Sequence, residues 1–143
     1  MQFTSVRTVE EFEALSTEWN ALLEKGASHV PFLRNDYLLA WWKHKGGGEW
    51  PHSELCVVTA RDEAGRLVGI APLFLAENRE GQKALMLLGS IEISDYLDVI
   101  CPPERLPEFL NGLLEFLDSP DLPEWQVLDW YNLLQDSPTL PAI

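Results

Sequence analysis

The sequence predicts a single α/β domain of the α+β kind, in which a mixed, mostly antiparallel sheet is flanked by helices. Three observations predict it. Residues 55–60 and 67–75 are two runs rich in Val, Ile and Leu, joined by a polar segment containing Gly65, the pattern of an antiparallel hairpin. A third apolar run, 83–88, follows closely. On either side of this meander, apolar residues recur at helical spacing, from Phe12 to Leu23 before it and from Leu106 to Leu117 after it. At 143 residues and 46% hydrophobic composition the chain can bury one core and is short for two domains, so 1–143 reads as one unit.

Residues 2–6 alternate weakly and predict an edge strand. Thr8 and Glu11 have capping-box spacing: the Thr hydroxyl accepts from the backbone three residues on, and the Glu reaches back. Phe12, Leu15, Trp19, Leu22 and Leu23 then fill one helix face, and Gly26 supplies a stop. Asn35 is placed to cap a second helix over 36–45, carrying Tyr37, Leu38, Trp41 and Trp42 and ended by Gly46, Gly47 and Gly48. Within 67–75, Gly69 predicts a bulge or a close backbone approach, and Pro72 predicts a break in the hydrogen-bond ladder. Residues 83–88 form a third strand closed by Gly89 and Ser90, and 96–101 a fourth closed by Pro102 and Pro103. Leu106, Phe109, Leu110, Leu113, Leu114 and Leu117 make the apolar face of a helix, with Pro107 tolerated in its first turn. Residues 126–130 read as a last strand, parallel to an earlier one because a helix separates them. Residues 137–141 are polar and proline-containing and carry no core pattern.

The formal charge of −13 is spread along the chain and repels phosphate-bearing partners, so nucleic-acid binding is excluded as an expectation. Six tryptophans argue for a folded state, because they bury enough area to offset chain entropy. The two cysteines, Cys56 and Cys101, lie in or beside apolar runs and read as buried thiols. Nothing resembles a signal peptide or a membrane span, so a soluble, cytoplasmic protein is expected. His29, His44 and His52 are scattered without metal spacing, and Ser5, Ser94 and Ser137 lack the glycines of a nucleophile elbow.

The best polar cluster is Asp95, Tyr96 and Asp98. On an extended backbone Tyr96 and Asp98 share a face and Asp95 points to the other, so the two carboxylates are not a ready pair. One of the three orients an acceptor amine or hydroxyl or acts as a base; alternatively Asp95 caps a turn and Tyr96 packs. Trp41 and Trp42 either stack on a planar substrate or divide between core and interface.

The order of these parts carries a resemblance. Two helices precede the meander and a third follows it, Pro31-Phe32 stands before the Trp41-Trp42 helix, and Gly89 is followed by Ser94-Asp95-Tyr96-Leu97-Asp98. This resembles the N-terminal half of the cellulose-biosynthesis-associated (CelD-like) acetyltransferase family, a relative of the Fem-type double-GNAT transferases, and implies a GNAT-like sheet. It implies that the complete protein moves an acyl group from acetyl-CoA or another acyl-CoA to an amine or hydroxyl, on a polysaccharide or cell-envelope acceptor. Trp41, Trp42, Asp95, Tyr96 and Asp98 would then be substrate-side residues; no catalytic residue is implied. GNAT proteins cradle the cofactor pyrophosphate on backbone N–H groups of an Arg/Gln-x-x-Gly-x-Gly/Ala loop at a helix start. Here that place is 99–107, with no glycine, Pro102, Pro103 and Pro107, and an acid at Glu104. The chain alone is therefore expected to bind no cofactor and to rely on a C-terminal GNAT domain or another chain. The alternative is a stand-alone acidic protein-interaction module. A third reading is a compact enzyme binding acyl-CoA through the 67–75 backbone.

Overall fold

A computed structural model describes residues 1–45, 50, 52–89 and 93–143. It is mixed α+β: two mostly antiparallel sheets flanked by helices, as the apolar patterning requires. The chain opens with β1 (Gln2–Val6), then α1 (Val9–Ala14) and α2 (Ser16–Leu23). The capping box forms as expected, Thr8 Oγ1 accepting the Glu11 N–H while the Glu11 carboxylate accepts the Thr8 N–H. The single helix expected over this stretch is two, meeting at Leu15, whose N–H turns back to Phe12 with three-residue spacing before the helix resumes. α3 (Asn35–Lys45) follows. The Asn35 side chain bonds to the Phe12 carbonyl and its N–H to the Asn20 side chain, so this residue ties the third helix to the first two. The expected glycine stop at 46–48, and Ser90 in the expected strand end, lie outside the described residues.

The meander runs through β2 (Glu54–Leu55), β3 (Val57–Arg61), β4 (Leu67–Ala71), β5 (Leu73–Glu77) and β6 (Lys83–Leu87). One sheet is ordered β1-β3-β4 and the other β2-β5-β6-β7, with β7 (Val127–Leu128) added parallel to β6. The division falls at Pro72, which has no N–H to give the ladder. Register nevertheless carries straight across it: Leu55 faces Phe74 and, three residues on in each strand, Val58 faces Ala71. The hairpin is thus one long ribbon that changes neighbours midway. Gly69 fulfils both expectations, since pairing slips between its partner Ala60 and Arg61, and a Cβ on it would lie 2.3 Å from the Phe109 ring.

α4 (Leu106–Leu117) seals this sheet with Leu106, Phe109, Leu110, Leu113 and Leu117 all buried. The parallel last strand is as expected. The expected fourth strand over 96–101 is not formed: only Ile100 meets the sheet, exchanging 2.8 Å backbone bonds with Ile70 in both directions. The reason is local, because the preceding residues turn away to satisfy other partners described below. Cys56 and Cys101 are buried and unpaired as disulfides. Among the described residues no helix is long and apolar enough to cross a membrane.

Candidate functional site

The candidate residues sit on a detour in the sheet. β6 ends with Leu87 opposite Leu73, and the Leu88 N–H bonds to the Pro72 carbonyl at 2.7 Å. The next residue on the same line of pairing is Ile100, beside Ile70. On one side the line advances from Leu73 to Ile70, and on the other from Leu87 to Ile100, so the chain loops out and re-enters. Gly89 starts this loop at a φ of +115°, a backbone shape that L side chains avoid; a Cβ there would lie 2.8 Å from Leu97 and 2.9 Å from Ser94 Oγ.

Polar contacts from two other elements hold the loop. Tyr37 of α3 places its hydroxyl 2.9 Å from Ser94 Oγ. Asn132, in the segment after β7 with a φ of +63°, donates its amide to the Ser94 carbonyl at 2.7 Å and accepts the Leu97 N–H at 3.0 Å. Asparagine tolerates this left-handed backbone better than most residues, which suits it to the corner. The strand that pairs with β6 at Val127 and Leu128 thus goes on to bond the loop.

Asp98 is the centre of the arrangement and is only 2% exposed. Its Oδ2 accepts the hydroxyls of Ser28 and Ser137, each at 2.5 Å, and its Oδ1 accepts the Thr139 hydroxyl at 2.7 Å and the Val99 N–H at 2.8 Å. Both oxygens are thereby filled by donors from the chain itself. A buried carboxylate is tolerated when its acceptor sites are satisfied in this way, and an acid so occupied has no lone pair directed to a ligand. The carboxylate knots three segments that are far apart in sequence.

The structure separates the other candidates. Asp95 and Tyr96 are at the surface, Tyr96 being 45% exposed. Trp41 is buried and Trp42 half-buried, and both rings pack on Phe74 of β5, with centroids at 5.6 and 6.0 Å. The Trp41 indole N–H has no hydrogen-bond partner among the described residues. α3 links the two groups, since Tyr37, one turn before Trp41, holds the loop. Ser28, Tyr37, Asn132, Ser137 and Thr139 escaped sequence reasoning. A polar Ser-Pro-Thr stretch carries no period, and only its burial, with Ser137 and Thr139 at 3% and 1% exposed, reveals its partner.

The turn that leads from Ile100 into α4 has a distinct electrostatic character. Pro102 and Pro103 lack N–H groups, the Arg105 N–H is taken by the Pro102 carbonyl at 3.0 Å, and the Leu106 N–H by that of Pro103. Glu104 and Glu108 add negative charge at the same helix start. Burial pushes the Cys101 thiol up to about 12, so it stays protonated and unreactive. Among the described residues no three His, Cys, Asp or Glu side chains are grouped as metal donors. No family model, curated protein or solved structure matches the chain.

Proposed function

We propose that this chain is the substrate-side half of a GNAT-type acyltransferase, which in its complete form moves an acyl group from acetyl-CoA or another acyl-CoA to an amine or hydroxyl. The reading rests on one observation. An antiparallel meander that gains a parallel last strand after a helix is joined to a helix start at which Pro102, Pro103 and Pro107 have no N–H and those of Arg105 and Leu106 are already used. A pyrophosphate needs free N–H groups and a positive field at that place, and finds three prolines and two acids, with the Arg105 guanidinium 3.7 Å from Glu108. In this reading the cofactor loop belongs to a second, C-terminal GNAT domain or another chain, and the loop carrying Asp95 and Tyr96 faces the acceptor, a small molecule or a glycan. Acyl-CoA is made and used in the cytoplasm, so the reading carries that location with it.

Titration of the purified chain with acetyl-CoA by calorimetry is expected to give no saturable heat; low-micromolar binding would overturn the division of labour. Reading the gene past the codon for Ile143 is expected to reveal a strand, a glycine-rich loop and a helix. A natural protein without such a segment, and without a partner that supplies one, favours a stand-alone acidic interaction module instead. Burial of Trp41 leaves only Trp42 of the indole pair for a partner in that case.

A further inference from the structure

β1 is the outer strand of its sheet, and among the described residues nothing pairs with its free side. Its sequence, Gln-Phe-Thr-Ser-Val, has none of the devices that close an edge: no proline, no charged residue, and the pairing irregularity lies on the other side of β3. An open row of N–H and C=O groups with alternating side chains is a template for one more strand.

The ground beside this edge is shaped. Phe3 lies between Phe109 and Phe116, with ring centroids at 5.8 and 5.9 Å and near-parallel planes. Gly112 makes room for it, since a Cβ there would lie 2.5 Å from the Phe3 ring. The result is an open surface groove of about 580 Å³ lined by Phe3 and by Glu108, Asn111, Glu115 and Phe116 of α4. Glu108, Asn111 and Glu115 are exposed and share one face of the helix. Glu108 meets the N-terminal amine and Arg105 only at 3.8 and 3.7 Å. Glu115 has no cationic partner among the described residues.

We propose that β1 accepts by strand addition an extended segment of another protein that carries apolar and basic side chains on one face. Its backbone would pair with the edge, and of its side chains turned toward α4 an apolar one would lie on Phe3 and Phe116 while a Lys or Arg two residues along would reach Glu115. A second copy of this chain fits less well: its β1 brings no cation of its own, and two chains of charge −13 repel. The site lies on the opposite flank of the ribbon from β5 and β6 and does not depend on the acyltransferase reading.

The probe is a fluorescent Lys-Val peptide of about eight residues, long enough to span β1, with Val and Lys taking turns on one face and Thr on the other. Anisotropy with the intact chain at low salt, and amide NMR shifts, are the readouts. Micromolar binding with shifts concentrated in residues 2–6 is expected. The Glu115→Lys variant, an exposed change checked for an unaltered melting curve, is expected to weaken binding about tenfold. A Lys-Val peptide methylated on alternate backbone nitrogens is expected to lose binding, because it cannot complete the ladder. Equal binding of a Glu-Val peptide, indifference to backbone methylation, no binding, or a dimer of the chain through β1 would each overturn the proposal.

Discussion

Oδ2 of Asp98 stands 2.5 Å from the Oγ of Ser137, and this contact fastens the loop beside β6 to the C-terminal segment. Asp98→Asn keeps the shape but replaces an acceptor oxygen with an amide NH2 donor that faces hydroxyl donors. A loss of about 2–4 kcal/mol is expected in urea denaturation, as for other broken buried charge networks. Thr139→Val removes one donor and is expected to cost about 1 kcal/mol. An Asp98→Asn midpoint equal to wild type would show that the network does not hold the fold.

The Gly69 and Phe109 pair makes a second test. A Cβ at Gly69 would lie 2.3 and 2.5 Å from two atoms of the ring, so Gly69→Ala forces Phe109 off its seat. Overpacking of this kind costs about 1–3 kcal/mol. The double variant with Phe109→Leu is expected to recover part of that loss relative to the sum of the single changes, and a double-mutant cycle by thermal denaturation measures it. Strict additivity would mean that the contact is relieved elsewhere.

Trp19 and Trp41 should respond unequally to the same substitution. The Trp19 indole N–H donates to the Leu33 carbonyl at 2.8 Å inside the core, whereas that of Trp41 has no acceptor among the described residues. Trp19→Phe is expected to lose about 1–3 kcal/mol through the orphaned carbonyl and the smaller ring, and Trp41→Phe distinctly less. Chemical denaturation of the two variants side by side decides this; an equal loss would deny the role of the hydrogen bond.

Cys101 gives the pH dependence. Its thiol titrates at about 12 in the fold against an ordinary 9.0, because burial disfavours the thiolate. The folded state therefore holds this proton after the unfolded state has lost it. The stabilising contribution is complete below the ordinary value and is lost as pH rises from there toward about 12. Stability measured across this alkaline range should fall less steeply in Cys101→Ala than in wild type. Native Cys101 is also expected to resist a thiol reagent near neutral pH and to react on unfolding.

The sequence makes the regular parts legible because their apolar residues repeat. The ribbon, its break at Pro72, the crowding at Gly69, the α4 face and the parallel β7 all follow from periodicity and from what proline and glycine do to a backbone. The strand expected over 96–101 fails for a different reason. Its apolar run is real, but Leu97 bonds to Asn132 and Asp98 to Ser28, Ser137 and Thr139, so long-range polar bonds override the local preference. Asp98 stood out in the sequence as a possible acceptor-binding acid, and no local pattern could show that its oxygens were already filled. The same holds for Ser137 and Thr139, whose burial depends on a carboxylate some forty residues earlier.

The Asp98 knot also sets an order of events at the ribosome. Ser28 waits 70 residues for its acceptor, and Asp98 then waits 39 and 41 more for Ser137 and Thr139. At a synthesis rate of about 5–20 residues per second, the carboxylate spends roughly two to eight seconds without those two hydroxyls. Until they arrive, those acceptor sites have no partner from the chain. The centre of this fold is closed by residues that contribute almost nothing to its apolar bulk.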